Sequence, residues 1–382
     1  MKSIVKYPLL KLLAVVGERI SSFFTKGLNL DSVQKILIFA GSGGIGDVLR
    51  LLPAIRAIGR HFPSVHISIL CRYKSEFFFY FPESKYISDY ILFDIKNHHK
   101  SFSSKIRLIQ TLRQRNFDLV YDPARGEGMM EHSIIMFLSG IPYRIGFEKD
   151  GCGFLYNIKR KFLPDVPILK QNLLLLEQIG IHSTDTTIHI YLSNEDIEFV
   201  KHLIFKNEKT FFVVIHLGAA WHSKYRSWPI KNFVEIAKRI ISNYAIKVVI
   251  LGRKEDKISN KIFTSLRSPF IIDMIGKTTL GQMMAIIKHS HLFIGNDSGP
   301  LHIARAFKIP SIGIFGPTSP KQVISDWENF IPVQKKLPCV PCYLHQPFFK
   351  PKCKEPLCLT SLSVDEVWTA VETMLKKVIQ NM

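Results

Sequence analysis

No stretch of the 382-residue chain holds the roughly 20 consecutive apolar residues that a membrane-spanning helix requires. The longest candidate, residues 7–16, is interrupted by Lys11 and followed by Glu18 and Arg19, and no small-residue cleavage site follows that would make it a secretory signal. Cysteine is scarce: six residues in a chain this long do not make a disulfide scaffold, so the cytoplasm is the expected compartment. Short-period repeats and low-complexity tracts are missing as well, which excludes solenoids and arrays. Acid is in short supply, with 31 Asp+Glu against 51 Lys+Arg and a formal net charge of +20. Such an excess suits an anionic partner, whether nucleic acid, a membrane surface or a phosphorylated substrate, or else reflects a Lys-rich composition.

What is present argues for globular structure. A hydrophobic fraction of 47%, a charged fraction of 21% and 28 Phe exclude disorder, and the length suits two cores of ordinary size. Residues 1–26 place Lys2, Lys6, Lys11, Arg19 and Lys26 among Leu, Val and Phe. This reads as a basic amphipathic helix, suited either to an anionic membrane surface or to packing on the protein body.

Residues 35–40 (KILIFA) form a short apolar run that ends in glycines, the mark of a buried parallel strand. Helical spacing follows over 47–60, then strand-like 65–71 (VHISILC), a helix around 105–115 and strand 118–121. The series restarts at 211–216 (FFVVIH). It continues with helix 230–243, strand 247–251, helix 280–289, strand 292–295, helix 301–307 and strand 311–315, and helix 366–379 closes the chain. Two βα series predict two similar doubly wound α/β domains joined somewhere in 183–209. The expected organisation is an extension over 1–34, an N-terminal Rossmann-like domain over 35–190, a C-terminal one over 191–360, and a final helix over 361–382.

Four constellations could carry chemistry. Gly41-Ser42-Gly43-Gly44-Ile45-Gly46-Asp47 lies between a strand and a helix, where Gly43, Gly44 and Gly46 permit tight turning and close approach and the helix N-terminus attracts an anion. Its Gly-x-Gly-x-x-Gly spacing fits a dinucleotide fingerprint, yet the second strand ends Leu70-Cys71-Arg72 without the ribose-binding acid. An NADP-dependent oxidoreductase using Arg72 is therefore an alternative of another class, and a non-catalytic nucleotide-binding module is a third. Asp47 suits either a helix cap or a general base facing an acceptor hydroxyl. The string 295–304 (GNDSGPLHIA) follows a strand and opens a helix, so Ser298 and Gly299 can present a hydroxyl and backbone N–H groups to a diphosphate, with Asp297 and His302 facing the ligand. Lys224 and Arg226, between His216 and Trp228-Pro229, offer cations to a leaving phosphate. Glu255, in a loop after strand 247–251, could accept hydrogen bonds from a ribose.

GGIGDVLRLLPAIRAI, the basic Trp-Pro segment, GNDSGPLHIA with the following IFGPTSP, and a Cys-x-x-Cys tail together resemble glycosyltransferase family 9, the ADP-heptose:lipopolysaccharide heptosyltransferases. The resemblance runs from Lys35 to the C-terminus. It implies two Rossmann-like domains facing a central cleft (the glycosyltransferase-B fold) and an inverting, metal-independent transfer from a nucleotide sugar, ADP-heptose, to a lipid A–core acceptor. The absence of any Asp-x-Asp triplet agrees with a diphosphate site that holds no metal. Carried over by motif, Asp47 becomes the base, Ser298 and Gly299 the diphosphate cradle, Asp297, Leu301 and His302 the donor sugar and nucleotide site, and Glu255 the ribose ligand. The family places a Lys about two residues before Trp-Pro; here Arg226 has that spacing and Lys224 lies two further back. The implied partners are the nucleotide sugar, a lipid A–core or other glycan acceptor and the anionic inner face of the cytoplasmic membrane, without nucleic acid. Another nucleotide sugar is the nearest alternative. No cofactor is expected, and Cys339, Cys342, Cys353 and Cys358 have the ligand count of a structural zinc site, with packed free thiols as the default.

Overall fold

The computed structural model describes residues 16, 29–41, 44–72, 75–92, 101–126, 128–205, 210–218, 223–253, 268–323, 327–343 and 353–381. The basic helix expected over 1–26 lies, Val16 apart, outside them. The chain divides into two compact units: Met1–Gly43, Arg50–Ile188 and His345–Lys350 form the first, and Gly44–Leu49, His189–Leu344 and Pro351–Met382 the second.

The first unit holds a six-stranded sheet of β1 (Lys35–Gly41), β2 (His66–Cys71), β3 (Asp89–Leu92), β4 (Leu119–Asp122), β5 (Tyr143–Glu148) and β6 (Ile158–Lys161). Every pairing is parallel, in the order β3-β2-β1-β4-β5-β6. Helix α1 (Ile45–His61) follows β1, α2 (Phe102–Arg115) precedes β4, α3 (Met129–Leu138) follows it, and α4 (Ile168–Leu176) succeeds β6. The second unit repeats the plan with β7 (Phe212–His216), β8 (Lys247–Leu251), β9 (Ile271–Asp273), β10 (Leu292–Asn296), β11 (Ser311–Phe315) and β12 (Phe330–Gln334). Its order, β12-β11-β10-β7-β8-β9, is the same doubly wound pattern read from the other end. The chain reverses direction across the sheet at β1/β4 and again at β7/β10, and in open α/β sheets ligands bind beyond the carboxyl ends of strands at such switch points.

The central strands form because they are apolar on both faces. Phe212 to His216, Leu292 to Asn296 and Ser311 to Phe315 are buried throughout, as strands covered by helices must be. The covering helices show the complementary stripe. In α6 (Ile230–Tyr244), Phe233, Val234, Ile236, Ala237 and Ile240 are buried while the opposite face carries Lys238 and Arg239. Helix α5 (Asn194–Val200) packs against α7 (Leu280–His289), where the Asp196 carboxylate occupies the space a Cβ at Gly281 would need. The closing helix α9 (Val364–Gln380) adds Val367, Val371, Met374 and Leu375 to the core of the second sheet. Its start is fixed by a capping box between Ser363 and Glu366. Lys335 and the Ser363 N–H, bonded to the Glu366 carboxyl, hold it down to about 2.

Strands 35–41, 66–71, 119–122, 212–216, 247–251, 292–296 and 311–315 lie where the sequence predicts them. The remaining five, β3, β5, β6, β9 and β12, carry no such signal. Four of them stand at or beside the sheet edges with half-exposed residues, so their sequences (DYIL, IKRK, IID, FIPVQ) lack a continuous apolar run.

Trp228 is a test of the second core. Its ring is 1% exposed, meets Phe233 edge-on at 5.1 Å, and its Nε1–H donates to the Leu362 carbonyl at 3.0 Å. Trp228→Ala should cost about 3–5 kcal/mol in urea unfolding; a loss below about 1 kcal/mol would show that the site closes over the cavity.

Candidate active site

In the second unit the site is built at the carboxyl ends of β7, β10 and β11. β10 ends at Asn296, whose side chain is fully buried and ties two segments together: Oδ1 accepts the Trp228 N–H at 2.9 Å and Nδ2 donates to the Leu217 carbonyl at 2.8 Å. Asp297 follows, 2% exposed. Its Oδ2 accepts from Arg226 Nη2 and from Thr318 Oγ1, each at 2.7 Å, and its own N–H reaches the Ile314 carbonyl. Arg226 Nη2 also donates to the Asp297 carbonyl at 2.6 Å. Gln334 Nε2 donates to the carbonyls of Gly316 and Thr318, holding the Gly-Pro-Thr loop that brings Thr318 to the carboxylate.

Ser298 is the N-cap of α8 (Gly299–Ala306) in extended conformation. An N-cap serine normally accepts a backbone N–H of its own helix. Ser298 does not, and its buried Oγ has no hydrogen-bond partner among the described residues. Such a hydroxyl costs about 1–3 kcal/mol unless a ligand or water satisfies it. It stands at the N-terminus of an eight-residue helix whose dipole favours an anion. Leu301 is wholly buried and closes the first turn through its N–H on the Ser298 carbonyl at 3.1 Å; His302 is 3% exposed.

Residues 44–49, the first turn of α1, pack with this unit. A Cβ at Gly46 would come 2.5 Å from His302 Cδ2, and one at Gly299 3.1 Å from Ile45 Cβ. The glycines thus permit the start of α1 to lie against the start of α8. Asp47 sits in that first turn, half-buried, with Oδ2 accepting the Gly44 N–H at 3.1 Å. The capping role expected of Asp47 is therefore realised.

The sequence model for "Glycosyltransferase family 9 (heptosyltransferase)" matches residues 105–355, more than half of the chain. The chain belongs to glycosyltransferase family 9. It is 27% identical over 305 residues to lipooligosaccharide heptosyltransferase 2 of Campylobacter jejuni, covering 78% of this chain and 87% of that one. Identity to lipopolysaccharide heptosyltransferase 3 of Escherichia coli is also 27%, over 287 residues, with 72% and 80% covered. Among solved structures, the E. coli ADP-heptose lipopolysaccharide heptosyltransferase II superposes with a TM-score of 0.67 at 17% identity, covering 90% of this chain and 99% of that one. A family 9 glycosyltransferase from Veillonella parvula gives 0.69 at 20% identity, with 90% and 98% covered. The protein is a glycosyltransferase with the glycosyltransferase-B fold.

Several expected ligand-binding residues of this family 9 chain turn out to hold one another. Arg226 and Asp297, expected on the donor, form an ion pair, and Leu301 has no surface to offer. Gly43, Glu255 and the side chain of Lys224 lie outside the described residues. Ser298, Gly299, His302, Gly44, Gly46 and Asp47 come together. Asn296 and Thr318 were missed as supports, although both stand inside strings that marked the site. Of the tail cysteines, Cys339 and Cys353 are exposed, Cys342 is half-buried and Cys358 is buried. Burial first, and then the other three thiols, push the Cys358 thiol up to about 11. Among the described residues no three His, Cys, Asp or Glu side chains form a group that could hold a metal ion.

The first unit has its own buried polar cluster at the carboxyl end of β4. Asp122 Oδ2 accepts the Tyr156 hydroxyl at 2.6 Å and Oδ1 the Ala124 N–H at 3.0 Å, with His132 Nδ1 3.8 Å away. Burial pushes the Asp122 carboxyl up to about 7 against both hydrogen bonds.

Two outcomes follow from these pairs. Arg226→Ala leaves a buried carboxylate with one partner fewer and should destabilise by about 3–5 kcal/mol in chemical denaturation; an effect under 1 kcal/mol would show that the pair is dispensable. Asp122, neutral in the folded state up to about pH 7, titrates near 4 when unfolded. The folded state then holds the extra proton between about pH 4 and 7, so this group's contribution is full below pH 4 and is lost as pH rises through 7. Asp122→Asn should flatten stability against pH across that window, and an unchanged slope would refute the shift.

Proposed function

We propose that this enzyme transfers heptose from ADP-heptose to a phosphorylated lipid A–core acceptor, inverting the anomeric centre without a metal. The orphan Ser298 hydroxyl at the N-terminus of α8, with the Asp47 turn packed against that helix, is the observation that carries the reading. Diphosphate oxygens satisfy the hydroxyl and the first N–H groups of α8, and the helix dipole stabilises the charge that grows on the departing nucleotide. Arg226 acts through Asp297, fixing the turn that aims Ser298, while Lys224 is the cation assigned to the diphosphate and Glu255 the ribose acceptor. His302, beside Gly46, lines the sugar.

Asp47 removes the proton from the acceptor hydroxyl as that oxygen forms its bond to the anomeric carbon and the bond to the nucleoside diphosphate breaks. Single displacement by one base inverts configuration. Charge stabilisation comes from the helix terminus and a lysine, and the chain has no Asp-x-Asp triplet for a metal-bound diphosphate. Named relatives support the substrates: lipopolysaccharide and lipooligosaccharide heptosyltransferases among the curated proteins, and an E. coli heptosyltransferase solved with an ADP-heptose analogue, similar to this chain at a TM-score of 0.60. A net charge of +20 suits a phosphorylated acceptor at the inner face of the cytoplasmic membrane, where the enzyme works as a peripheral protein. No helix among the described residues is long and apolar enough to cross a membrane.

Thermal unfolding in the presence of ADP, UDP, GDP, CMP or NADP tests the donor, since a specific ligand stabilises by mass action. ADP alone should raise the midpoint. Asp47→Ala should keep that response while kcat falls about 10²–10⁴-fold. A response to UDP or GDP instead would replace the heptose donor, a response only to NADP would overturn the transferase site, and undiminished turnover in Asp47→Ala would remove the base.

A further inference from the structure

Strand β12 lies at the edge of the second sheet, and its last residue reaches the donor side of the site. Gln334 pairs in register with Phe315, the end of β11, and the Gly316-Pro317-Thr318 loop begins there. All three loop carbonyls are held. Gly316 and Thr318 accept from Gln334 Nε2 at 2.8 and 2.7 Å, and Pro317 accepts the Tyr343 N–H at 2.9 Å. Thr318 and Tyr343 also form an isolated parallel bridge. Both partners of Nε2 are acceptors, which suits a primary amide, since it carries two N–H groups on one nitrogen. An ionised carboxylate there would face two carbonyl oxygens with nothing to donate.

The loop has little room to move. A Cβ on Gly316 would stand 2.9 Å from Leu359 Cδ1 and 3.1 Å from the Tyr225 carbonyl oxygen, so this glycine lies against the residue before Arg226. Pro317 fixes its own φ and has no N–H for a competing bond. Thr318, 2% exposed, thereby directs Oγ1 onto Asp297 Oδ2, the same oxygen that Arg226 engages. Three joins then lead from the edge strand to the Ser298 hydroxyl. Two are hydrogen bonds, Gln334 to Thr318 and Thr318 to Asp297, and the third is the peptide bond between Asp297 and Ser298.

We propose that Gln334 is a positioning residue for the donor: by clamping the Gly-Pro-Thr loop it fixes, through Thr318 and Asp297, where the Ser298 hydroxyl meets the diphosphate. This rests on the reading that Ser298 binds the donor diphosphate. The effect of Gln334 falls on the donor side of the reaction, because the chain of bonds ends at Ser298.

The test is calorimetric titration of ADP into the full-length enzyme, together with KM values for ADP-heptose and a deacylated lipid A–core oligosaccharide. Gln334→Met keeps the length of the side chain and removes both donors. It should raise the ADP Kd and the donor KM about tenfold, with the acceptor KM unchanged. Gln334→Glu, nearly isosteric, should not recover the loss. Thr318→Val should weaken ADP binding by a similar factor, and adding Gln334→Met to it should change little further, since both act along one path. A merely structural clamp would lower the melting point and the active fraction, and so kcat, with Kd and both KM values unmoved; that result overturns the proposal. Losses that add in the double variant overturn the route through Thr318. Ser298→Ala separates the proposal from the reading beneath it. Weaker ADP binding in Ser298→Ala, with wild-type affinity in Gln334→Met, overturns the positioning role alone. Wild-type affinity in Ser298→Ala, or no ADP binding by the wild type, refutes the diphosphate reading, and the positioning role falls with it.

Discussion

A buried carboxylate has to be matched, and the second unit is organised around matching Asp297. Arg226 comes from the segment after β7, Thr318 from the loop after β11, and Asp297 itself ends the run from β10. Three strand ends are thus bound through one side chain, and the geometry of the turn into α8 follows. Removing water from Asp297 is expensive, and the charge-assisted bonds of Arg226 and Thr318 help to offset it. The consequence lies one residue on: with Asp297 fixed, Ser298 stands in an extended conformation whose hydroxyl makes no cap bond to the helix, which is the basis of the diphosphate role proposed for it.

Much of this was legible in the sequence, because doubly wound folds advertise their centres. Runs such as FFVVIH and LFIGN are apolar on both faces only because helices cover both faces, and the glycines and Ser-Gly-Pro that follow them are needed where a strand must turn at once into a helix. Position along the chain therefore gave Asp47, Ser298 and His302 their neighbourhood. The sequence could not say which polar side chain meets ligand and which meets protein. Arg226 has the charge and spacing of a phosphate ligand, and so does an arginine that satisfies a neighbouring acid.

The first unit was harder to read for the same reason in reverse. Asp122 ends an ordinary apolar strand, Tyr156 lies in a loop and His132 sits in a helix, and no spacing relates the three. Their meeting is set by the β4–β5 register and by the glycine at 146 that makes room for the tyrosine ring. Edge strands such as IKRK and FIPVQ are silent too, since a half-exposed strand carries the mixed composition of a loop.

In Asp47 the observed cap and the proposed base need not be competing descriptions. A general base, the role proposed for Asp47, must be held in one rotamer, and the Gly44 N–H at 3.1 Å holds the carboxylate so. What the helix start gains in capping, the proposed base gains in orientation, provided the turn stays against α8. That proviso explains the glycines better than flexibility does: at Gly46 the space a Cβ would need is taken by His302, so the two motifs approach closely only because one of them lacks a side chain.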